Sequence, residues 1–299
     1  MARRHVFPVA VFAVCAAVVL SAQADKFEGE FKVDRGKLKQ VKRIALADVV
    51  GETKNEMADS LESWTTETHR QMVEAWQKTG VEVVAGPEVA AAYDAIVPVP
   101  TVDEVKRVMK KKTNWTDDVI NRTAENAVKM WGNEPGEAAK YGYKIARPAG
   151  SINLERPLLS EKDPSGDRPD EKDVQKRVAQ LAAKLGVDAV VRIDYGFGSW
   201  RFQESGYVQG NRAMGKAPGL LDSIKSIRGL TRGARATAMF SIDVFSADGK
   251  KFLAEIMGSC NSKDGTGMAI TGTGNKVAAM MPATVSGCMA NIFTKLADD

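Results

Sequence analysis

Hydrophobic positions along this chain switch between two periods. Residues 173–198, DVQKRVAQLAAKLGVDAVVRIDYGFG, show both in succession. Val174, Val178, Leu181 and Leu185 recur on one helical face, with Ala179, Ala182 and Ala183 beside it. Gly186 then ends the helix, because glycine reaches a left-handed cap without steric cost. Residues 187–193 form a nearly unbroken apolar run rich in β-branched side chains, as in a strand covered on both faces. The same order appears earlier. Residues 43–50, RIALADVV, predict a strand that is apolar on both faces apart from Asp48. A helix over about 56–78 follows, with Met57, Leu61, Trp64, Thr68, Met72 and Ala75 as its inner stripe. Gly80 stops it, residues 81–85 form a short strand, and Pro87 opens a short helix over 88–95. Upstream, residues 25–40 are polar and basic, and Phe27, Phe31 and Val33 are spaced as in a weak edge strand.

The C-terminal part carries a hairpin. Residues 234–245 and 250–260 alternate around Ser246-Ala247-Asp248-Gly249, and Asp-Gly between such runs is a strong turn signal. Phe240, Ile242 and Val244 share a face of the first strand; Phe252, Ala254, Ile256 and Cys260 share one of the second. The last helix is expected over about 279–296, with Pro282 in its first turn. Alternating strands and helices predict an α/β fold, a mixed sheet with helices packed on it.

Two long insertions interrupt this pattern, at about 97–172 and 199–233. Within the first, residues 102–112 and 116–131 read as helices. Residues 132–173, rich in proline, glycine and charge, read as a surface excursion with little regular structure. In the second, Trp200, Phe202 and Tyr207 can extend a strand. Leu220, Leu221, Ile224 and Ile227 then fall at helical spacing near Lys216, Lys225, Arg228 and Arg232. Such a basic amphipathic segment docks on its own core or lies on a membrane surface; its short apolar face without an aromatic residue favours the core over membrane contact through 216–232. The strand after Gly186 re-enters the core between the two insertions. It is therefore expected to be central, with the segments on either side as binding surfaces.

The N-terminus changes the setting. Arg3 and Arg4, an apolar run from Val6 to Leu20 and Ala22-Gln23-Ala24 describe a secretory signal peptide over 1–24, cleaved at Ala24-Asp25. Phe12-Ala13-Val14 before Cys15 is a poor lipoprotein box, so no lipid is expected. No later segment reads as a transmembrane helix. The mature protein is expected to be periplasmic or extracellular, one α/β domain over 25–299. Without Arg3 and Arg4 the chain has 40 Lys and Arg against 38 Asp and Glu, a net charge of +2, which argues against a nucleic-acid partner.

Candidate chemistry is sparse. Cys260 and Cys288 are the cysteines left after signal removal, an even count in an oxidising compartment. They form a disulfide or stay as two buried thiols. Residues 263–276, KDGTGMAITGTGNK, are glycine-rich but lack both the Gly-Lys-Ser/Thr of a P-loop and the third glycine of G-x-G-x-x-G, since Ile270 stands there; a loop between strand and helix is the better reading. Asp163, Asp167, Asp170, Glu171 and Asp173 are interleaved with Pro164, Pro169, Lys162, Arg168 and Lys172, which fits a solvated linker rather than a calcium loop. His69, the only histidine outside the signal, has no readable serine or cysteine partner and reads as structural. Trp64, Trp76, Trp115, Trp131 and Trp200 are scattered and read as packing residues. Asn114-Trp115-Thr116 and Asn121-Arg122-Thr123 match the glycosylation acceptor, relevant only in a eukaryotic secretory pathway. No residue is assigned to catalysis, to a cofactor or to a metal.

With this order of elements laid out, KRIALADVV, VEVVAGPEV and AAKLGVDAVVRIDYGFG resemble a recurring bacterial envelope domain, as does ATAMFSIDVFSADGKKFLAEIMGSC followed by a Gly-rich loop and a helix. The order is similar to the curli-secretion channel family and to lipoprotein activators of penicillin-binding proteins, over roughly 41–96 and 173–296. That resemblance implies a non-catalytic role in envelope assembly, secretion or activation of a partner, often as an oligomer. The expected function is an exported adaptor or accessory factor with an envelope protein partner or a second copy of itself. An oligomeric secretion pore is one alternative. A small-ligand protein or enzyme with an unrecognised site is another.

Overall fold

A computed structural model describes residues 24–131, 143–157, 159, 169–200, 234–264 and 273–297. The chain opens with β1 (Glu28–Val33), α1 (Arg35–Leu38) and β2 (Arg43–Lys54). A 3-10 turn over Asn55–Ser60 leads into α2 (Leu61–Lys78), β3 (Glu82–Ala85) and α3 (Pro87–Asp94). The first insertion contributes α4 (Val102–Lys112), α5 (Asp117–Trp131) and β4 (Tyr143–Ala146). Then come α6 (Glu171–Leu185), β5 (Ala189–Trp200), β6 (Arg235–Ser246), β7 (Phe252–Asn261) and α7 (Thr273–Ala297).

The seven strands form one mixed sheet, ordered β1-β7-β6-β5-β2-β3, with β4 antiparallel to the distal half of β2. β2 runs parallel to both β3 and β5, while β5, β6, β7 and β1 pair antiparallel in turn. β5 is central, as its apolar run predicts. Each face has its own core. Ile44, Leu46, Val191, Ile193 and Tyr195 point toward α2 and α7; Ala45, Ala47, Val190 and Phe245 pack with α3 and α6. Alternating residues of β2 and β5 thus serve opposite cores, which is why both strands read as continuous apolar runs.

Local chemistry sets the ends. Gly186 takes the left-handed cap of α6, at φ 63°. Gly249, at φ 70°, turns the β6–β7 hairpin onto α6 so closely that a Cβ there would lie 2.1 Å from the Gln175 carbonyl. Asp170 and Asp173, expected in a solvated linker, instead form a capping box on α6, where acidic groups satisfy free amides and face the positive end of the helix dipole.

Several expectations fail for identifiable reasons. The excursion after residue 132 is ordered where described: β4 pairs with β2, and Ile152 and Leu154 are fully buried. Its apolar residues are separated by Pro148 and Gly150, so they show no period. On α2 the inner stripe continues to Trp76 rather than Ala75, because the bulkier ring fills the space toward Phe293. Ala183 of α6 is exposed. Phe252 does not share a face with Ala254: a register shift at Val244/Phe245 turns it outward, 40% exposed, against Phe245.

α7 begins before residue 279, so Pro282 lies inside it rather than in its first turn. Val277, Met281, Val285, Cys288 and Ile292 form an unbroken buried stripe, and its burial offsets the one backbone bond that proline removes, a loss of about 3 kcal/mol. Residues Asn275–Ala297 are also long and apolar enough to cross a membrane, with a mean hydropathy of 1.3, contrary to expectation. Here their apolar stripe is packed on the sheet.

Candidate functional site

The most self-contained feature outside the sheet is the α4–α5 hairpin. Thr101 caps α4 and forms a reciprocal capping box with Glu104, whose carboxyl these bonds hold below its ordinary range. Asp103 and Glu104 occupy the first turn and Lys110, Lys111 and Lys112 the last, each sign matched to the helix dipole. The buried stripe is thin: Val105 and Met109 meet Ile120, Ala124 and Ala127, with Val99, Val102, Val128 and Leu159 half-buried around them. This cluster is separate from both cores of the sheet.

The turn between the helices places Trp115 49% exposed. Thr113 ends α4 by donating its hydroxyl to the Met109 carbonyl, 3.0 Å away. Lys110 spans the turn to Asp117 at 2.9 Å. Lys111, Lys112, Asn114 and Thr116 are exposed around the indole. An indole with half its surface in water, ringed by polar side chains on a pinned turn, is the type of group that anchors protein contacts. The packing role expected for Trp115 is therefore wrong, whereas Trp64 and Trp76 are buried as expected. The legible signal was its setting: KKKTNWTDD offers no apolar neighbour with which to pack. The side chains of Trp131 and Trp200 lie outside the described set.

A second cluster occupies the sheet face carrying α3 and α6, beyond their apolar patch. Asp48 lies opposite Arg192 on the neighbouring strand, and Arg192 lies opposite Asp243. Arg192 donates to Asp243 at 2.6 Å and to Glu155 at 3.1 Å. Asp48 accepts from Arg147 and, at 3.0 Å, from the Leu154 amide. Ser151 donates to the Val49 carbonyl and accepts from the Val49 amide, both at 2.7 Å. These bonds tie the segment after β4 to the sheet. Asp194 sits among them. Burial, then the neighbouring Asp48 charge, push its carboxyl up to about 7, against the opposing pull of Arg192 and Arg147. Burial also raises Glu52. A carboxyl that titrates near neutrality can move a proton. His69 is on α2, against the opposite face; burial lowers its pKa, and its Nδ1 has no partner.

Cys260 and Cys288 are brought to disulfide distance, Cα atoms 5.5 Å apart, joining β7 to α7. Residues 1–23, which hold Cys15 and all of the expected signal peptide except Ala24, lie outside the described residues. Ala24 is buried against α7, where a Cβ on Gly287 would meet it at 2.8 Å. The Asp25 amide donates to the Asn261 carbonyl at 2.7 Å, its carbonyl accepts from Asn291, and its carboxylate pairs with Arg235. The basic segment 216–232 and residues 265–272 of the glycine-rich stretch lie outside the described residues; residues 273–276 are the first turn of α7. Among the described residues no three His, Cys, Asp or Glu groups converge as a metal set. Compared with protein-family models, with curated proteins and with solved structures, the chain finds no match.

Proposed function

We propose that this protein is an exported, non-catalytic adaptor or assembly factor of the cell envelope, acting through protein–protein contacts. The observation that carries the reading is the α4–α5 hairpin, which has a small core of its own and exposes Trp115 at its turn. Export rests on the N-terminal pattern of Arg3-Arg4, an apolar run and Ala22-Gln23-Ala24. The envelope setting rests on the resemblance over residues 41–96 and 173–296.

The adaptor reading needs no reacting group, only a rigid body and a presented anchor. The sheet, held between two helical layers, supplies the first; the hairpin supplies the second. Aromatic anchors flanked by polar residues carry a large share of binding energy at contacts, often 2 kcal/mol or more by truncation. The test is chemical cross-linking and capture from an envelope extract with the mature protein and its Trp115→Ala variant. The wild type should capture a discrete partner or a second copy of itself. The variant should lose that capture while melting at the same temperature. Equal capture by both, or none by either, contradicts the proposal.

A further inference from the structure

β1 is an edge strand: β7 pairs with its inner side, and among the described residues no strand pairs with its outer side. The chain keeps clear of that outer side at both ends. Ala24 bridges to Ser262 and the Asp25 amide bonds to the Asn261 carbonyl, while α1 turns back against β7. The Asp34 amide donates to the Leu253 carbonyl at 2.9 Å, which sets the phase of the ladder. Because an antiparallel ladder alternates, the even-numbered residues of β1 bond to β7, and Gly29, Phe31 and Val33 turn their amides and carbonyls outward. An edge of this kind is a template for another strand.

Two features of the sequence EGEFKV select a second copy of β1 as that strand. The first is hydrogen-bond phase. In an antiparallel pair centred on Phe31, Phe31 meets the partner's Phe31 and Gly29 meets the partner's Val33, so each outward amide finds an outward carbonyl. The second is charge. The same register sets Glu30 against the partner's Lys32 and Lys32 against the partner's Glu30, at the positions where side chains approach most closely. Centring on Glu30 or on Lys32 would instead bring like charges together. Asp34, which stands opposite the partner's Glu28 in this register, has left the strand to cap α1, with its carboxylate on Lys37 at 2.6 Å. Glu30 and Lys32 are 77% and 67% exposed and pair within one chain at 3.6 Å. Such a surface pair contributes little, so exchanging it for two cross-chain pairs costs little. Lys32 also lies opposite Glu255 of β7, which places it between two carboxylates in the joined sheet. Phe31 is on the other face, against Phe27 at 5.2 Å, with exposed Lys295 4.0 Å from its ring; Lys295 thus stays out of the charge pairing.

We propose that two copies of this chain dimerise edge to edge through β1, antiparallel and centred on Phe31, joining two 7-stranded sheets across a two-fold axis. The contact is one strand of 6 residues per chain, smaller than a standard interface, so the dimer is weak, with a Kd on the order of 10 µM. Met257 lies on β7, one strand in from the edge, and does not meet the partner. The dimer leaves Trp115 free. Glu30→Lys keeps the hairpin and Trp115→Ala keeps β1, so the failure of this proposal and the failure of the adaptor reading are seen separately.

The test is sedimentation velocity of the mature protein over about 1–200 µM, a range that brackets the expected Kd. The wild type should pass from monomer to dimer across it. Glu30→Lys and Lys32→Glu should each raise the Kd at least about tenfold, because each sets like charges against one another at both cross-strand pairs. Mixed in equal amounts, the chain with two lysines meets the chain with two glutamates, and a heterodimer should form at the wild-type concentration. The intrachain pair at Glu30 and Lys32 stays broken in both variants, so only a cross-chain contact gives that recovery. Both side chains are exposed, and each variant should melt as the wild type does. A wild type that stays monomeric at the top of the range overturns the proposal. So does a dimer that either single variant leaves unchanged, or a mixture that remains monomeric.

Discussion

The sheet with its two flanking helical layers and the α4–α5 hairpin are built to different standards. Around β5 the core is deep: Ile193, Tyr195 and Val191 are fully buried on one face and Val190 on the other, and β7 and α7 bring Cys260 and Cys288 to disulfide distance. The hairpin rests on five buried side chains, two of them alanines. The sheet hides its large apolar groups, with Phe252 and Met257 as exceptions; the hairpin, with a far smaller core, exposes a tryptophan. Stability is concentrated in one region and presentation in the other. A marginal element that still spends an indole on solvent makes sense if something else covers that indole.

The contrast can be broken or sharpened by measurement. The largest effect should come from the sheet. Leu46→Ala, at a site 1% exposed, should lower global stability by about 4 kcal/mol in denaturant unfolding. A loss under about 1 kcal/mol would mean the core is not the main support. Next is the cysteine pair. Reduction, or Cys260→Ser with Cys288→Ser, opens a loop with a sequence separation of 28 and should cost about 3.5 kcal/mol in the chain-entropy model. Calorimetry with and without reductant checks it, and an unchanged melt would show that the pair is dispensable.

Asp194 gives an effect that depends on pH. Its carboxyl is raised from 3.8 in the unfolded chain to about 7, so between those values the folded state holds a proton that the unfolded chain releases. The stability tied to that proton is complete below pH 3.8 and is lost as pH rises through about 7, with a slope of at most about 1.4 kcal/mol per pH unit. Asp194→Asn should flatten that segment of the stability curve. A curve identical to wild type would remove Asp194 as its source. The smallest global effect should come from the hairpin. Met109→Ala should leave the global transition within about 0.5 kcal/mol, while hydrogen exchange shows α4 and α5 amides losing protection. Loss of protection in β5 as well would mean the two regions are one cooperative unit.

Much of the sheet was legible because its strands keep period and its stops are glycines. Residues 187–193 announced a central strand, and Gly186 marked its approach. The two hairpin helices were legible to within a residue, and each carries acidic residues in its first turn. What escaped was non-periodic. Ile152 and Leu154 are buried by a loop whose prolines and glycines erase any pattern, and the ion pairs at Asp48 and Arg192 join strands and loop residues far apart in sequence. The pocket between α1 and the C-terminal ends of α2 and α7 draws Leu38, Val81 and Phe293 from three distant segments, and no local window contains that combination. Trp115 was visible in the sequence, but its exposure follows from the absence of neighbours, which composition alone does not register.

The most direct test places a photo-cross-linking amino acid at position 115 in one variant and at position 257 in another, expressed in cells that export the protein. Met257 is the fair rival, since it is 52% exposed on the sheet. The account predicts a discrete higher-mass adduct from position 115 and none from position 257. An adduct from 257 with none from 115 would make the sheet, not the hairpin, the surface through which this protein acts.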